Sequence, residues 1–161
     1  MDERIIVAVD GGPASDAALD WVIDRARGER VDIRVTSVLE PGAHEAQRRA
    51  LQEAAVVAAT RRLRAALPGA RTVEIVRRGS AADTLLQDAG EADLLIIGSH
   101  VTGLLAGLLR STLSLVVAGR TNCTTVVVPE GWRPAAGGII VAWDGDGSSE
   151  AALAFAADEA V

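Results

Sequence analysis

The amino-acid sequence predicts an α/β fold in which five parallel strands form one sheet, in the order 3-2-1-4-5, with helices on both faces. Two observations predict it. Short runs rich in Val, Ile and Leu alternate with helical segments along the chain, as in parallel sheets joined by right-handed crossovers. Aromatic residues make up only 2% of the 161 residues, so we expect an aliphatic core, typical of sheets buried on both faces.

The first half of the chain contains three of the predicted strands. Residues 4–9 form a β-branched run that an Asp-Gly-Gly-Pro turn interrupts, and apolar residues then recur at helical spacing over 17–23. Residues 31–39 predict the second strand. A long helix rich in Ala and Arg follows it over 43–67, and residues 72–78 predict the third strand.

The second half of the chain contains the other two predicted strands. A Gly-Ser turn begins a helix around residues 85–86, and residues 93–97 predict the fourth strand, which ends at Gly-Ser-His. A loop leads to a helix over about 111–118. The fifth strand covers residues 124–128 and stops at a proline, since proline cannot continue a strand ladder.

Two loop signals lie where such sheets bind ligands, at the carboxyl ends of the strands beside the reversal of strand order. These strands end at Asp10 and Gly98. The carboxylate of Asp10 either accepts a hydrogen bond from a ligand, such as a ribose hydroxyl, or caps the next helix. The loop after Gly98 and the helix near Ser111 are suited to phosphate, with ordinary capping by Ser111 as the alternative. His100 either reaches the phosphate or is a surface residue.

Composition and motifs exclude several classes of function. The net charge of −6 argues against a nucleic-acid partner. Two histidines and one cysteine supply neither a metal cluster nor a disulfide. The sequence has no Walker-type phosphate loop and no G-x-G-x-x-G after a strand. It shows neither a signal peptide nor an apolar run of membrane-spanning length, so we expect a cytoplasmic protein that associates with no membrane.

An internal repeat marks the end of the chain. The sequence of residues 5–11 reappears at 139–145 with one change, Trp143 in place of Val9, and the match continues without a gap through the next helix. We therefore expect a domain over residues 1–130, a linker over 131–137, and the first strand and helix of a second, truncated copy over 138–161. A lone strand and helix cannot cover both faces of the strand, so we expect this segment to pack on the first domain, to swap with another chain or to stay poorly ordered. This favours a homodimer or a strand-swapped self-association.

Taken together, these motifs resemble the universal stress protein (UspA-like) family, in which tandem copies are common. The similar segments are Ile-Ile-Val-Ala-Val-Asp-Gly at 5–11, Gly-Ser-Ala at 79–81, Ala-Asp-Leu-Leu-Ile-Ile-Gly-Ser-His at 92–100 and Thr-Val-Val-Val-Pro at 125–129. The resemblance covers residues 3–130. It implies a flavodoxin-like fold, also described as adenine nucleotide alpha hydrolase-like.

The resemblance also implies a nucleotide site. ATP-binding members carry G-x-x-G-x9-G-[ST] after the fourth strand. Here Gly98 and Thr112 match the first glycine and the hydroxyl, whereas Val101 and Ser111 replace the other two glycines. The cofactor-binding residues so implied are Ala8, Val9, Asp10, Val38, Gly98, Ser99, His100, Val101, Ser111, Thr112 and Leu113, of which Asp10 and Val38 would contact adenosine, Val38 through its backbone.

Three functions follow from these observations. The first is a stress-response regulatory module that binds ATP, ADP or AMP at the carboxyl ends of strands 1 and 4. Mg²⁺ would enter only with the nucleotide, and turnover would not exceed slow ATP hydrolysis. The alternative is a member that does not bind ATP and acts as a dimerising structural or interaction protein, which the two replaced glycines favour. An adenylating enzyme or an electron-transfer flavoprotein is a third, but the chain lacks the further motifs expected of either.

Overall fold

The computed structural model describes residues 2–100, 113–135 and 137–160. Its single described sheet has five strands, all parallel, in the order β3-β2-β1-β4-β5. The flavodoxin-like α/β fold and the strand order predicted from the sequence are therefore confirmed. The strands are β1 (Glu3–Ala8), β2 (Val31–Leu39), β3 (Arg71–Arg78), β4 (Leu94–Ser99) and β5 (Thr124–Pro129).

Helices cover both faces of the sheet. α1 and α2 pack on one face, and α3 and α4 pack on the other. None of the helices within the described ranges is long and apolar enough to cross a membrane. The helix predicted over about 111–118 is described from residue 113 onward. The helices are α1 (Pro13–Arg25), α2 (Glu45–Ala66), α3 (Ala81–Ala89), α4 (Leu113–Ala118) and α5 (Gly147–Glu159).

The core consists of aliphatic side chains that alternate between the two faces of the sheet. On β1, Ile5 and Val7 belong to the cluster beneath α1 and α2, whereas Ile6 belongs to the cluster beneath α3 and α4. Successive side chains of a strand point to opposite faces, so a central parallel strand has to be apolar at every position. This requirement explains the unbroken apolar run from which β1 was predicted.

The first turn of α1 packs directly against β4. A Cβ atom at Gly98 would lie 2.2 Å from the carbonyl oxygen of Ala14 and 2.8 Å from the amide nitrogen of Ser15, so only glycine fits there. The chain reaches this position through Gly11, whose φ of 83° lies in the left-handed region that favours glycine. Gly98 therefore has a packing role at the junction between α1 and β4.

The last described segment, residues 137–160, differs from the prediction. The strand expected at 139–143 is not formed, since residues 137–144 take part in no ladder. A strand obtains its hydrogen bonds only from neighbouring strands, and none of the described strands pairs with this segment. The helix that follows does form, because a helix satisfies its own backbone groups. As α5 it rests on the core through Phe155, and Glu159 pairs with Arg25 at 2.6 Å.

The turn before α5 reproduces the turn before α1. The Asp10 carboxylate accepts a hydrogen bond from the Gly12 amide at 2.8 Å, and the Asp144 carboxylate accepts one from the Asp146 amide at 3.2 Å. The residue after each aspartate is a glycine with a positive φ, 83° in the first turn and 89° in the second. Both turns lead into helices of 13 residues. The repeated sequence therefore gives the same local structure twice.

The packing at Gly98 predicts that Gly98→Ala destabilises the protein by about 1–3 kcal/mol, the usual cost of overpacking. The free energy of unfolding in urea measures the change. Gly69→Ala is the matched control, because a Cβ atom there would meet nothing within 4 Å. Equal stability of the two variants would contradict the close approach of α1 to β4.

The ion pair between Arg4 and Asp93 predicts a pH dependence. The Arg4 guanidinium donates hydrogen bonds to the Asp93 carboxylate at 2.8 and 3.2 Å, and this lowers the pKa of the carboxyl group. A carboxyl whose pKa is lowered by folding stabilises the protein above its unfolded pKa of about 3.9, and the contribution is lost as the pH falls through the folded value.

Asp93→Asn should therefore lower the free energy of unfolding near neutral pH by at most about 1 kcal/mol, because the pair is half-exposed. The difference from the wild type should shrink below about pH 4. Urea unfolding of both proteins at pH 7 and pH 3 measures the difference in the free energy of unfolding at each pH. A difference that stays constant between these pH values would show that the charge of Asp93 contributes nothing.

Candidate functional site

A cavity of about 230 Å³ opens at the carboxyl ends of β1, β2 and β4. β1 and β4 are neighbours at the point where the strand order reverses, and a crevice forms there in sheets of this kind because the connecting segments leave in opposite directions. The first turn of α1 borders the cavity on one side of the sheet, and α3 and α4 border it on the other. Its volume is slightly below the range of most small-molecule sites, which is about 300–1,000 Å³.

Eight of the eleven site residues predicted from the sequence line this cavity. The other three, Val101, Ser111 and Thr112, lie outside the described residues, and so does most of the phosphate motif. The structure therefore brings together the strand ends and the start of α4. The eight residues are Ala8, Val9, Asp10, Val38, Gly98, Ser99, His100 and Leu113.

Sequence reasoning missed the remaining lining residues. One signal could have revealed two of them: the adjacent hydroxyl residues Thr36 and Ser37 interrupt the apolar run of β2 just before its end. The others depend on how α1, α3 and α4 pack against the sheet, which no local pattern indicates. The missed residues are Ala14, Ser15, Thr36, Ser37, Ala81, Leu85 and Ile97, and Ser114 also lines the cavity beside the predicted Leu113.

Asp10 lies exposed at the rim of the cavity. One of its carboxylate oxygens accepts the hydrogen bond from the Gly12 amide and so closes the turn after β1. The interpretation of Asp10 as a helix cap is wrong, because Gly12 occupies the N-cap position of α1 and no side chain caps it. Asp10 instead shapes the turn, while its charge remains at the cavity mouth.

The end of β2 is held by α2. The backbone carbonyl of Val38 accepts a hydrogen bond from the side-chain amide of Gln52 at 2.8 Å. A carbonyl oxygen has two lone pairs, so this contact leaves it able to accept a second hydrogen bond. The side chain of Val38 packs on the face of the sheet covered by α3 and α4. Val38 therefore offers the cavity an aliphatic surface at a position that Gln52 keeps fixed.

His100 is a surface residue in this structure. Its side chain is 63% exposed, and Nδ1 lies 3.1 Å from Oε2 of Glu130. The backbone amide of Glu130 donates to the carbonyl oxygen of Ser99 at 2.7 Å, which holds this pair beside the end of β4. No Arg or Lys occurs among the described lining residues. Asp10 is the carboxylate among the described lining residues, and two others contact that lining: Glu130 lies beside His100, and Glu40 accepts a hydrogen bond from the amide of Ala81 at 3.1 Å.

The cavity has exposed residues at its mouth and buried, mainly aliphatic residues at its floor. Leu85 and Ile97 are buried at its floor, whereas Asp10 and His100 are exposed at its mouth. Four buried residues of the lining carry hydroxyl groups, and Thr36 is fully buried; the other three are Ser15, Ser37 and Ser114. Such an arrangement suits a ligand with a flat apolar part and a polar tail, because aliphatic side chains cover rings while polar groups keep their contact with water.

The described residues contain no group of three or more His, Cys, Asp or Glu side chains that could hold a metal ion. Cys123 is half-buried and packs against the cluster beneath α3 and α4. Its thiol lies 3.4 Å from the hydroxyl of Thr121. These contacts give the cysteine a packing role at the start of β5.

Comparison with known proteins agrees with this architecture. The model of the universal stress protein family matches residues 1–129. Universal stress protein Rv1996 of Mycobacterium tuberculosis is 28% identical over 185 residues, which cover 97% of this chain and 58% of the relative. Universal stress protein Rv2624c of the same organism is 27% identical over 165 residues, which cover 98% of this chain and 61% of the relative. The chain thus spans about three-fifths of the length of these curated relatives.

Solved structures share the fold. A universal stress protein in complex with cAMP superimposes with a TM-score of 0.65 at 22% identity, covering 81% of this chain and 98% of the other. A family member from Arabidopsis thaliana with AMP bound gives a TM-score of 0.62 at 14% identity. The match covers 80% of this chain and 92% of the other. A universal stress protein from Archaeoglobus fulgidus in complex with dAMP gives a TM-score of 0.61 at 16% identity. The match covers 80% of this chain and 98% of the other. Since the family model matches most of its length, this chain belongs to the universal stress protein family.

Proposed function

We propose that this chain is a stress-response regulatory module that binds an adenine nucleotide, ATP, ADP or AMP, in the cavity at the carboxyl ends of β1 and β4. The observation that carries the proposal is the position of that cavity, at the reversal of strand order, with a carboxylate at its mouth and an aliphatic floor. Solved structures of the same fold are described in complex with cAMP, AMP and dAMP, which supports an adenine nucleotide as the ligand.

The lining suggests how the nucleotide is held. The Asp10 carboxylate accepts a hydrogen bond from a ribose hydroxyl, and a charged acceptor makes a stronger bond than a neutral one. The aliphatic side chains of Val38 and Leu85 cover the base. The phosphates extend past Ser99 and His100 into the region of residues 101–112. The roles of Val101, Ser111 and Thr112 stay predictions.

We infer a binding module and not an efficient enzyme. Rapid phosphoryl transfer relies on cations that stabilise the developing charge, and the described part of the lining supplies neither Arg nor Lys for this purpose. Any hydrolysis of ATP would accordingly be slow. Mg²⁺ would arrive with the nucleotide, because the described residues offer no cluster of metal ligands. The cytoplasmic location predicted from the sequence stays a prediction.

The proposal predicts that the protein binds AMP and ATP with dissociation constants below about 1 mM, which corresponds to about −4 kcal/mol. Asp10→Asn should weaken binding by about three- to tenfold, since the amide keeps the oxygen that closes the turn but loses its charge. Isothermal titration calorimetry measures both constants.

Asp144→Asn is the matched control. Asp144 closes the equivalent turn before α5 but does not line the cavity, so this variant should bind as the wild type does. Absence of binding by the wild type would overturn the proposal. Equal affinities of the wild type and Asp10→Asn would remove Asp10 from the site.

We also propose that residues 138–161 are the beginning of a second domain of the same kind, joined to the domain of residues 1–130 by a linker over 131–137. The repeated aspartate turn, the repeated positive φ and the equal lengths of α1 and α5 support this division. Residues 139–143 would then pair as a strand once neighbouring strands are available.

A second candidate function, a dimerising interaction protein, is favoured by the apolar surface of this segment. Ile140 is 97% exposed, and Ile139 and Trp143 are each more than half exposed. Side chains of this kind are typical of a buried strand, and several of them together on a surface mark an interaction site. We propose that a second copy of the chain covers them, in a homodimer or by exchange of the strand.

Self-association predicts a dimer in sedimentation velocity at micromolar concentrations. Ile140→Asp should shift the protein toward the monomer, because a charge in a buried contact is costly. Leu51→Asp is the control, since Leu51 is an exposed apolar residue of α2, remote in sequence from this segment. A wild type that remains monomeric at high concentration would exclude this candidate.

A further inference from the structure

We propose that the buried hydroxyl of Thr36 is a ligand-binding group that forms a hydrogen bond with the ring end of the bound molecule. Thr36 would then help to select a nucleobase that presents a polar atom at the floor of the cavity. This inference rests on the proposed nucleotide-binding function and adds to it a recognition residue that the family motif does not contain.

The position of Thr36 directs its side chain toward the cavity. It lies beside Ala8 of β1 in the register of the sheet and near the carboxyl end of β2. Val35 belongs to the core cluster beneath α1 and α2. Because side chains alternate along a strand, that of Thr36 lies on the opposite face, which α3 covers. Thr36 lines the cavity there together with Leu85.

The hydroxyl of Thr36 has an unusual environment. The residue is 0% exposed, and its Oγ1 atom has no hydrogen-bond partner within the described part of the chain. A buried polar group without a partner is unfavourable, and the great majority of such groups in folded proteins are paired. Within the described part of the chain, Thr36 borders the cavity, so a bound ligand can supply the missing partner.

The surroundings indicate which part of a ligand would reach Thr36. The side chains around it at the floor are aliphatic, including Ala8, Val38, Leu85 and Ile97. They favour a planar ring system, because apolar contacts cover its faces while one polar atom at its edge bonds to the hydroxyl. The ribose would instead lie nearer the exposed mouth, beside Asp10, and the phosphates would extend away from that carboxylate, past Ser99 and His100. The geometry thus assigns Thr36 to the base of the nucleotide.

The decisive variant is Thr36→Val, which keeps the shape of the side chain and removes the hydroxyl. We expect it to weaken the binding of adenosine, AMP and ATP by the same factor, about tenfold, since all three contain the same base. Thr36→Ser keeps the hydroxyl and should retain most of the affinity. Isothermal titration calorimetry on the full chain with these three compounds gives the factors.

Thr60→Val is the matched control. Thr60 is also a fully buried threonine whose hydroxyl has no partner in the described residues, but it lies on α2 and does not line the cavity. Neither valine variant should lower the melting temperature, because each removes an unpaired buried oxygen. Only Thr36→Val should change ligand affinity.

The outcomes are distinguishable. If the wild type binds the three compounds and Thr36→Val binds them equally well, the assignment of Thr36 is overturned while the proposed function stands. Weaker binding of AMP and ATP with unchanged binding of adenosine would place the hydroxyl at the phosphate end and overturn its assignment to the base. If the wild type binds none of the compounds, the proposed function fails, and this inference fails with it.

Discussion

The contact between the first turn of α1 and Gly98 of β4 determines the shape of the site. The backbone of Ala14 approaches Gly98 so closely that no side chain fits between them. Because α1 lies tightly against the end of β4 on one face of the sheet, the open space at the strand ends is left mainly on the other face, beneath α3 and α4. Gly98, which the sequence motif predicts to be part of a phosphate site, thus has a packing role in this structure.

The cavity combines an aliphatic floor with a polar mouth, and the described lining contains no cationic side chain. In this described part of the site, a ligand gains affinity from covered apolar surface and from a few hydrogen bonds. The proposed recognition of the nucleoside part of a nucleotide would rest on these contacts, to which Thr36 and Asp10 would contribute at opposite ends of the cavity.

The repeated segment separates local from nonlocal determinants of structure. The aspartate turn and the helix form twice, in α1 and in α5, because their hydrogen bonds join residues close together in the sequence. The strand forms only in the first copy, where β2 and β4 flank it. Around α5, Arg25 pairs with both Glu3 and Glu159, and its guanidinium lies 5.8 Å from the ring centre of Trp21. The pair with Glu159 joins α5 to α1, and the other contacts of Arg25 fix its side chain in place.

The sequence by itself determined the five strands of the sheet, their order and the two strand ends, Asp10 and Gly98, at which the cavity opens. Those features follow from apolar runs and turn residues, which act over a few positions along the chain. Only the tertiary structure decided that Gly98 meets Ala14, that Asp10 closes a turn instead of capping α1, and that Leu85 and Thr36 line the floor. It also decided that residues 139–143 remain unpaired. In each case the outcome depends on atoms brought close by packing of elements distant in the sequence, and no local pattern records those distances.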